Sequence, residues 1–228
     1  MTNEHTGREN KMSHKNMDTQ ISQGDQTLLG EHDLRAMVAS RICHDLISPM
    51  GAIGNGLELL QLSQEQTSPE MEMISQSIEM ANSRLRLYRV AFGTVGDGQM
   101  MSRSEILSIL GSVNAAQRHH LSWASSRELT RRQVKLAFLA LMCVETALPW
   151  GGEITVSDNP SGLRLAGLAD RIKHDDGLWD ALTTGEHPGE LTSARIQFGL
   201  AIEEARDQGS RFALEVTPTA LTLDLFMV

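Results

Sequence analysis

The sequence predicts an α+β fold in which a helical hairpin precedes a part built of both helices and strands. Two observations carry this prediction. Over residues 34–62, apolar residues recur at steps of three and four, which is the spacing of one helix face. After residue 98, helical apolar runs alternate with short strand-like runs that end in turns containing Gly, Pro or Asn. We therefore divide the chain into a polar tail expected to be disordered, the hairpin and the mixed part, at 1–27, 28–95 and 99–228.

Composition and charge exclude several classes of protein. The 228 residues carry a formal net charge of -9, with a sequence pI near 5.3, whereas binding to nucleic-acid phosphates needs a surplus of Lys and Arg. No apolar run approaches the roughly 20 residues of a membrane span, and the start of the chain lacks the apolar core of a signal peptide. We expect a cytoplasmic protein with no nucleic-acid and no membrane partner.

The two cysteines predict neither a disulfide nor a zinc site. Cys43 and Cys143 each lie in an apolar, helix-like run, which favours reduced, structural thiols. No second Cys or His stands at ligand spacing from either of them, so zinc binding has no support.

The hairpin is predicted from two helical patterns with a break between them. After the segment SQEQT, Ser68-Pro69-Glu70 supplies a capping residue, a first-turn proline and an early acid, in the order that a helix start prefers. Gly93 and the GDG stretch at 96–98 end this second helix. Because a hairpin buries only one side of each helix, we expect a second copy to complete a four-helix bundle, and hence a homodimer. The narrow apolar seam of the second helix consists of Met71, Ile74, Ile78, Ala81, Leu85, Tyr88 and Phe92.

The mixed part is predicted to be a helix layer on a largely antiparallel sheet. A helix around Ile106 to Val113 precedes the short strand LSWAS. Thr130 and Gln133 form a capping box that opens the apolar helix VKLAFLALMCVETAL. The remaining predicted elements are the strands EITVS, LRLAGLA, FALEV and ALTLDLF and a helix over about 193–208.

His44 is predicted to lie on the side of the first helix opposite its apolar residues. At about 100° per residue, Ile53 falls about 180° from His44, and Ile42 and Leu46 about 160° from it. The residues within about 40° of His44 are mostly small or polar, which leaves room for another protein surface to approach the imidazole. We expect these residues to contact that partner: Met37, Ser40, Ser48, Gly51 and Asn55.

The pair His44-Asp45 is suited to phosphoryl transfer. A neutral imidazole near pH 7 is a good nucleophile, and Asp45 is placed to hold one ring nitrogen protonated or to act as a base. The alternative is that the pair is simply a solvated part of the surface. The glycines of GAIGNG suggest a phosphate-binding loop, but Ile53, Leu57 and Leu60 stay in step with the preceding helix, so we predict helix there.

The string RICHDLISP at 41–49, followed by GAIGNGLELL, resembles the H-box of histidine-kinase dimerisation domains, and most closely the HDLISP signature of ChpT-type histidine phosphotransferases. The resemblance implies a dimeric hairpin bundle that carries a C-terminal α/β sandwich similar to a histidine-kinase ATPase domain. It implies that His44 accepts phosphate from the receiver domain of a hybrid histidine kinase and passes it to response-regulator aspartates. It implies no cofactor of its own, with Mg²⁺ on the partner receiver.

The C-terminal part departs from the pattern of a working kinase. The positions that are usually asparagine hold Met142 and Thr146. After LRLAGLA, Ala169-Asp170-Arg171 has the wrong spacing for an Asp-x-Gly turn, Asp176-Gly177 is expected to start a helix, and no GxGxG lid follows. We therefore do not expect autophosphorylation with ATP. An ATP-dependent histidine kinase and a non-catalytic receiver-binding adaptor remain as alternatives.

Arginines on the two hairpin helices are candidate contacts for a receiver. Three arginines lie close together on the second helix, at Arg84, Arg86 and Arg89. Either they form a solvated face, or one of them contacts the acidic pocket of a receiver or stabilises a phosphate. Arg41, nearly one turn before His44, has a similar position. We assign Arg41 and Arg89 to partner binding.

Overall fold

A computed structural model describes residues 39, 42–43, 46–62, 68–96, 98–114, 119–186 and 188–228, with only the backbone described at 112–114. Several of the predictions lie outside the described residues. They concern the tail at 1–27 and five site residues, which are Met37, Ser40, Arg41, His44 and Asp45.

Two helices make the N-terminal part. Helix α1 covers 46–62, and residues 39, 42 and 43 are also helical, so the GAIGNG stretch is helix as predicted. Helix α2 is Pro69–Phe92; the Ser68 hydroxyl caps it by accepting a hydrogen bond from the Met71 amide at 3.3 Å. Gly54 lies against α2, because a Cβ at this position would stand 3.5 Å from Cγ2 of Ile78. The two helices therefore pack together where α1 has no side chain.

The C-terminal part joins a layer of helices to a five-stranded sheet. The strand order is β2-β4-β5-β7-β6; only β2 and β4 run parallel, and the other neighbours are antiparallel. The predicted α+β class and largely antiparallel sheet are confirmed. The elements are β1 Met100–Met101, α3 Arg103–Asn114, β2 His119–Trp123, β3 Leu129–Thr130, α4 Arg131–Ala147, β4 Gly152–Asn159, β5 Gly162–Leu168, α5 Asp176–Thr184, a 3₁₀ turn Ser193–Arg195, α6 Ile196–Asp207, β6 Arg211–Val216 and β7 Ala220–Phe226.

Helix α4 lies at the centre of the core. Its capping box is formed as predicted, since the Thr130 hydroxyl accepts from the Gln133 amide at 3.2 Å and the Gln133 side chain accepts from the Thr130 amide at 2.9 Å. Alternate residues of the strands point towards the helices and are almost completely buried, which is the period-two burial of a sheet with one covered face. Cys43 and Cys143 are free, buried thiols.

Helix α2 reaches into this core, which the seam prediction did not anticipate. Leu87, Val90 and Ala91 are buried in the same apolar cluster as α3 and α4, whereas Tyr88 and Phe92 of the predicted seam are only partly buried against it. The physical reason is that α2 has two partners, α1 along its first half and the C-terminal part along its second. Within the ranges given above, no helix combines the length and the apolar character needed to cross a membrane.

Candidate functional site

The side of α1 on which the predicted nucleophile is expected carries small or polar residues and is open. His44 itself is outside the described residues, but the described residues on both sides of it, 42–43 and 46–62, are helical. Ser48 and Asn55 are exposed, and a Cβ added at Gly51 would meet no atom within 4 Å. These three residues share one side of α1 by their spacing, so a partner surface is able to approach α1 closely along this side.

Arg89 brings a positive charge close to the residue that precedes His44. The Cys43 side chain is buried, and this burial raises the pKa of its thiol, while the Arg89 guanidinium on α2 acts in the opposite direction and partly offsets the rise. Arg89 is exposed on its own helix. An anion carried near Cys43 would therefore lie close to a guanidinium that is accessible to a partner.

The three arginines that the sequence singled out on α2 have different environments. Arg86 and Arg89 are exposed, whereas the Arg84 guanidinium donates from Nη1 to both carboxylate oxygens of Glu145 on α4, at 3.0 and 3.3 Å. Sequence reasoning missed Glu145, and no local signal exists for it, because 61 residues separate the two members of the pair.

Met142 and Thr146 stand near the carboxyl end of α4, at the two positions where a kinase usually has asparagines. Met142 is partly buried against the core, and the Thr146 hydroxyl donates to the Cys143 carbonyl at 2.7 Å, within its own helix. The segment that follows β5 runs over this end, where the Lys173 amide donates to the Ala147 carbonyl at 2.8 Å. The two positions at which a kinase usually has asparagines are thus used for packing and for an intrahelical hydrogen bond.

Aromatic side chains pack the interior between α5 and α6. As the sequence predicts, Asp176 and Gly177 begin a helix. Trp179 of α5 is buried, and its ring meets Phe198 of α6 edge to face, with centroids 5.0 Å apart. Helix α5 therefore contributes to the core directly after β5, where the sequence lacks the glycine motifs of a nucleotide site.

The hairpin exposes an apolar surface. Ile53 and Leu46 on α1 are 54 % and 46 % exposed, and Ile42, which precedes α1, is 54 % exposed, although all three belong to the predicted apolar face. A groove of about 350 Å³ between α1 and α2 continues this surface and is lined by Met50, Glu70, Met73, Ile74, Ser77 and Ile78. Contiguous exposed apolar surface of this kind marks an interaction site more often than not.

Comparisons with known proteins relate this architecture to phosphotransferases. The family model described as the histidine phosphotransferase C-terminal domain matches residues 103–220. The protein phosphotransferase ChpT of Brucella abortus (strain 2308) is 36 % identical over 126 residues, which are 54 % of this chain and 60 % of the relative. The match thus spans about 60 % of the length of that curated relative. A bacterial phosphotransferase of known structure superposes with a TM-score of 0.59 at 27 % identity, over 86 % of this chain and 95 % of that one.

The α+β fold, the hairpin and the family match over more than half of the chain together define a histidine phosphotransferase, and the chain belongs to that family. Within the family it is of the ChpT type, as the identity to the Brucella protein and the structural match show.

Proposed function

We propose that this protein is a phosphorelay histidine phosphotransferase. His44 accepts a phosphoryl group from the aspartyl phosphate of a hybrid-kinase receiver domain and passes it to the aspartates of response regulators. The observation that carries the proposal is the HDLISP string at 44–49, which precedes a domain that matches the family model. The open surface at Ser48, Gly51 and Asn55 supports it, because a receiver needs close access to α1.

The proposed reaction exchanges one bond to phosphorus for another. One ring nitrogen of His44 attacks in line, the new N–P bond forms, and the P–O bond to the receiver aspartate breaks and leaves a free carboxylate. Asp45 accepts a hydrogen bond from the other ring nitrogen and keeps the attacking nitrogen unprotonated. The receiver supplies Mg²⁺, and this chain contributes the nucleophile, its orientation and the docking surface, with no cofactor of its own.

We assign receiver docking to the side of the first helix that carries His44. The residues on this side are mostly small or polar and let the receiver approach; they are Met37, Ser40, Ser48, Gly51 and Asn55. Arg41 and Arg89 supply positive charge for the acidic pocket of the receiver or for the phosphoryl group. The effect of Arg89 on the Cys43 thiol supports this assignment, because it indicates that the guanidinium lies close to the residue that precedes His44.

A homodimer in the cytoplasm completes the proposal. The exposed apolar stripe of α1 and the groove next to it are the surfaces that a second hairpin would cover in a four-helix bundle. Light scattering at micromolar concentration is expected to give twice the chain mass of 25.1 kDa, and a monomeric mass would count against the dimer.

We further propose that the protein does not phosphorylate itself with ATP. Met142 and Thr146 replace the usual asparagines, and the Thr146 hydroxyl donates a hydrogen bond to the Cys143 carbonyl of the same helix. Incubation of the protein alone with labelled ATP is expected to leave it unlabelled. Labelling under these conditions would instead favour a histidine kinase.

The test of the main proposal is phosphotransfer from a receiver that carries labelled phosphate on its aspartate. The wild-type protein is expected to take up an acid-labile, base-stable label, and His44→Ala is expected to take up none. His120→Ala is the matched control, because His120 is an exposed histidine on β2, in the C-terminal part of the chain. If His44→Ala is labelled as well as the wild type, His44 is not the acceptor and the adaptor alternative gains support.

A further inference from the structure

We propose that the ion pair between Arg84 and Glu145 is a positioning device, which holds the C-terminal part at one angle to the hairpin. The inference includes a second contact: a receiver docked at His44 also touches the C-terminal part, so that its docking surface is made of both parts. This inference rests on the proposed function, because it assigns the pair a role in receiver docking. Neither residue touches the reacting atoms, so both are positioning residues and not catalytic ones.

The geometry of the pair suits a permanent link. Both Glu145 oxygens accept from the same guanidinium nitrogen of Arg84, at 3.0 and 3.3 Å. The side chains are only 25 % and 13 % exposed, so water screens the pair less than it screens a surface ion pair. Glu145 follows Cys143 and Val144, which are fully buried in the core, so its backbone cannot move without disturbing that core.

The pair also lengthens the contact between α2 and the C-terminal part. Apolar contacts hold α2 from Leu87 to Phe92, a stretch of about 8 Å at 1.5 Å per residue. Arg84 extends the contact to about 12 Å. Because apolar contacts are not directional, the short buried stretch alone permits α2 to tilt, whereas a charge-assisted hydrogen bond one turn further along the helix opposes that tilt.

The connection after α2 is also short and attached to the C-terminal part. A Cβ at Gly93 would stand 2.3 Å from the Arg89 carbonyl oxygen, so the chain leaves the helix in a turn that only glycine fits. The Gln99 carbonyl then accepts from the Arg131 amide at the start of α4, at 2.6 Å, and β1 pairs with β3. The end of α2 is thereby anchored, and the Arg84–Glu145 pair determines the remaining tilt.

A fixed angle is useful to a protein whose phosphoryl donor is a receiver. A kinase has to move its nucleotide domain to the histidine, whereas here the phosphate arrives on the partner. If the two halves of the docking surface are held in place beforehand, binding does not have to order them. Loss of the pair lowers the fraction of molecules at the competent angle, and the apparent affinity falls by that fraction.

The first test measures phosphotransfer against receiver concentration for Glu145→Gln. We expect the half-saturating receiver concentration to rise about tenfold, which corresponds to a competent fraction near one in ten, with the limiting rate within about twofold of wild type. Glu105→Gln is the matched control, because Glu105 pairs with Arg131 at 3.3 Å within the C-terminal part and does not reach the hairpin. Equal half-saturation for wild type and Glu145→Gln would overturn the proposal.

A second test measures a distance between α2 and the C-terminal part, which depends on the angle between them, and it requires no phosphotransfer. Spin labels at Gln76→Cys on α2 and Asp180→Cys on α5 occupy exposed positions, while the two native cysteines are buried. Excess unlabelled protein pairs with the labelled chains, so that each measured distance lies within a single chain. We expect the distance distribution to broaden in Glu145→Gln and to stay narrow in Glu105→Gln; an unchanged width in Glu145→Gln would overturn the proposal even if phosphotransfer fails in every variant.

The exchanged pair Arg84→Glu with Glu145→Arg separates charge pairing from simple loss of folding. It places the same two groups on opposite helices, and we expect it to restore both the narrow distance distribution and the wild-type half-saturation to within about twofold. Broad distributions in the exchanged protein, with a melting temperature equal to that of the wild type, would show that the pair does not set the angle.

Discussion

Glu204 of α6 is a buried carboxylate whose removal provides a quantitative test of the packing between α4 and α6. Its oxygens accept from Lys135 Nζ at 2.9 Å, from Arg132 Nε at 3.1 Å and from Gln208 Nε2 at 2.9 Å. The Glu204 side chain is only 10 % exposed. Glu204→Gln keeps an acceptor for Gln208 but removes the negative charge that Glu204 supplies to Lys135 and Arg132 at a half-buried site.

The size of the effect follows from the exposure of the partners. Removing one member of a fully buried ion pair costs about 3–5 kcal/mol. The Lys135 and Arg132 side chains keep 18 % and 36 % of their exposure, so water partly compensates them. We expect Glu204→Gln to lower the free energy of unfolding by about 2 kcal/mol at pH 7, or the melting temperature by about 4–8 °C.

The pH dependence has a definite sign. Burial raises the pKa of Glu204, but the hydrogen bonds and charge of Lys135, with the hydrogen bonds from Gln208 and Arg132, outweigh it and hold the pKa below its ordinary value. A carboxyl group with a lowered pKa in the folded state stabilises the fold above its unfolded pKa and loses this contribution as the pH falls through the folded value. The difference between wild type and Glu204→Gln should therefore be complete at pH 7 and shrink below about pH 4.5.

The assay is urea unfolding followed by circular dichroism between pH 7 and the acid range. Asp180→Asn on α5 is the control, since this carboxylate is exposed, and we expect it to change the free energy of unfolding by less than about 0.5 kcal/mol. Equal stability of Glu204→Gln and wild type at pH 7 would refute the reasoning. A difference of the same size at acid pH would refute the electrostatic part alone.

Two further predictions concern the hairpin. Leu87→Ala removes a fully buried side chain from the joint between α2 and the core, so urea unfolding should show a loss of about 2–5 kcal/mol, whereas Leu62→Ala, at an 84 % exposed position, should change little. Ile53→Glu places a charge on the exposed apolar stripe and should shift the light-scattering mass from dimer to monomer. Asn55→Glu, on another side of α1, is the control and should leave the mass at that of the dimer. A dimeric Ile53→Glu protein would contradict the proposed interface.

The features that the sequence predicts well are those with a local cause. The capping box of Thr130 and Gln133 and the cap at Ser68 depend on residues three apart, and both are present. The strands after Gly152 alternate in burial because one face of the sheet is covered by helices, and that alternation is visible as period-two apolar spacing. The glycines of GAIGNG are helical because the apolar positions on either side of them keep a helical period.

The features that sequence reasoning missed depend on contacts between distant segments. Strands β1 and β3 have two residues each and exist only through their mutual pairing, so no run of strand-forming residues in the sequence predicts them. A second buried face of α2 consists of Leu87, Val90 and Ala91. It was not predicted, because the apolar seam next to it already accounts for the helical period of the sequence. Of the candidate site, the side of α1 that carries Ser48, Gly51 and Asn55 follows from spacing, whereas the neighbourhood of Cys43 and Arg89 arises only when the hairpin closes.

The position of β7 in the sheet has a practical consequence for anyone who expresses the C-terminal part alone. The family match ends at residue 220, the first residue of β7, and β7 lies between β5 and β6 and pairs with both. A recombinant fragment cut at the two limits of that match would lack an interior strand, leave β6 with no neighbour in the sheet and uncover the apolar surface that α2 occupies. Soluble fragments should therefore begin no later than the start of α2 and retain the last strand in full.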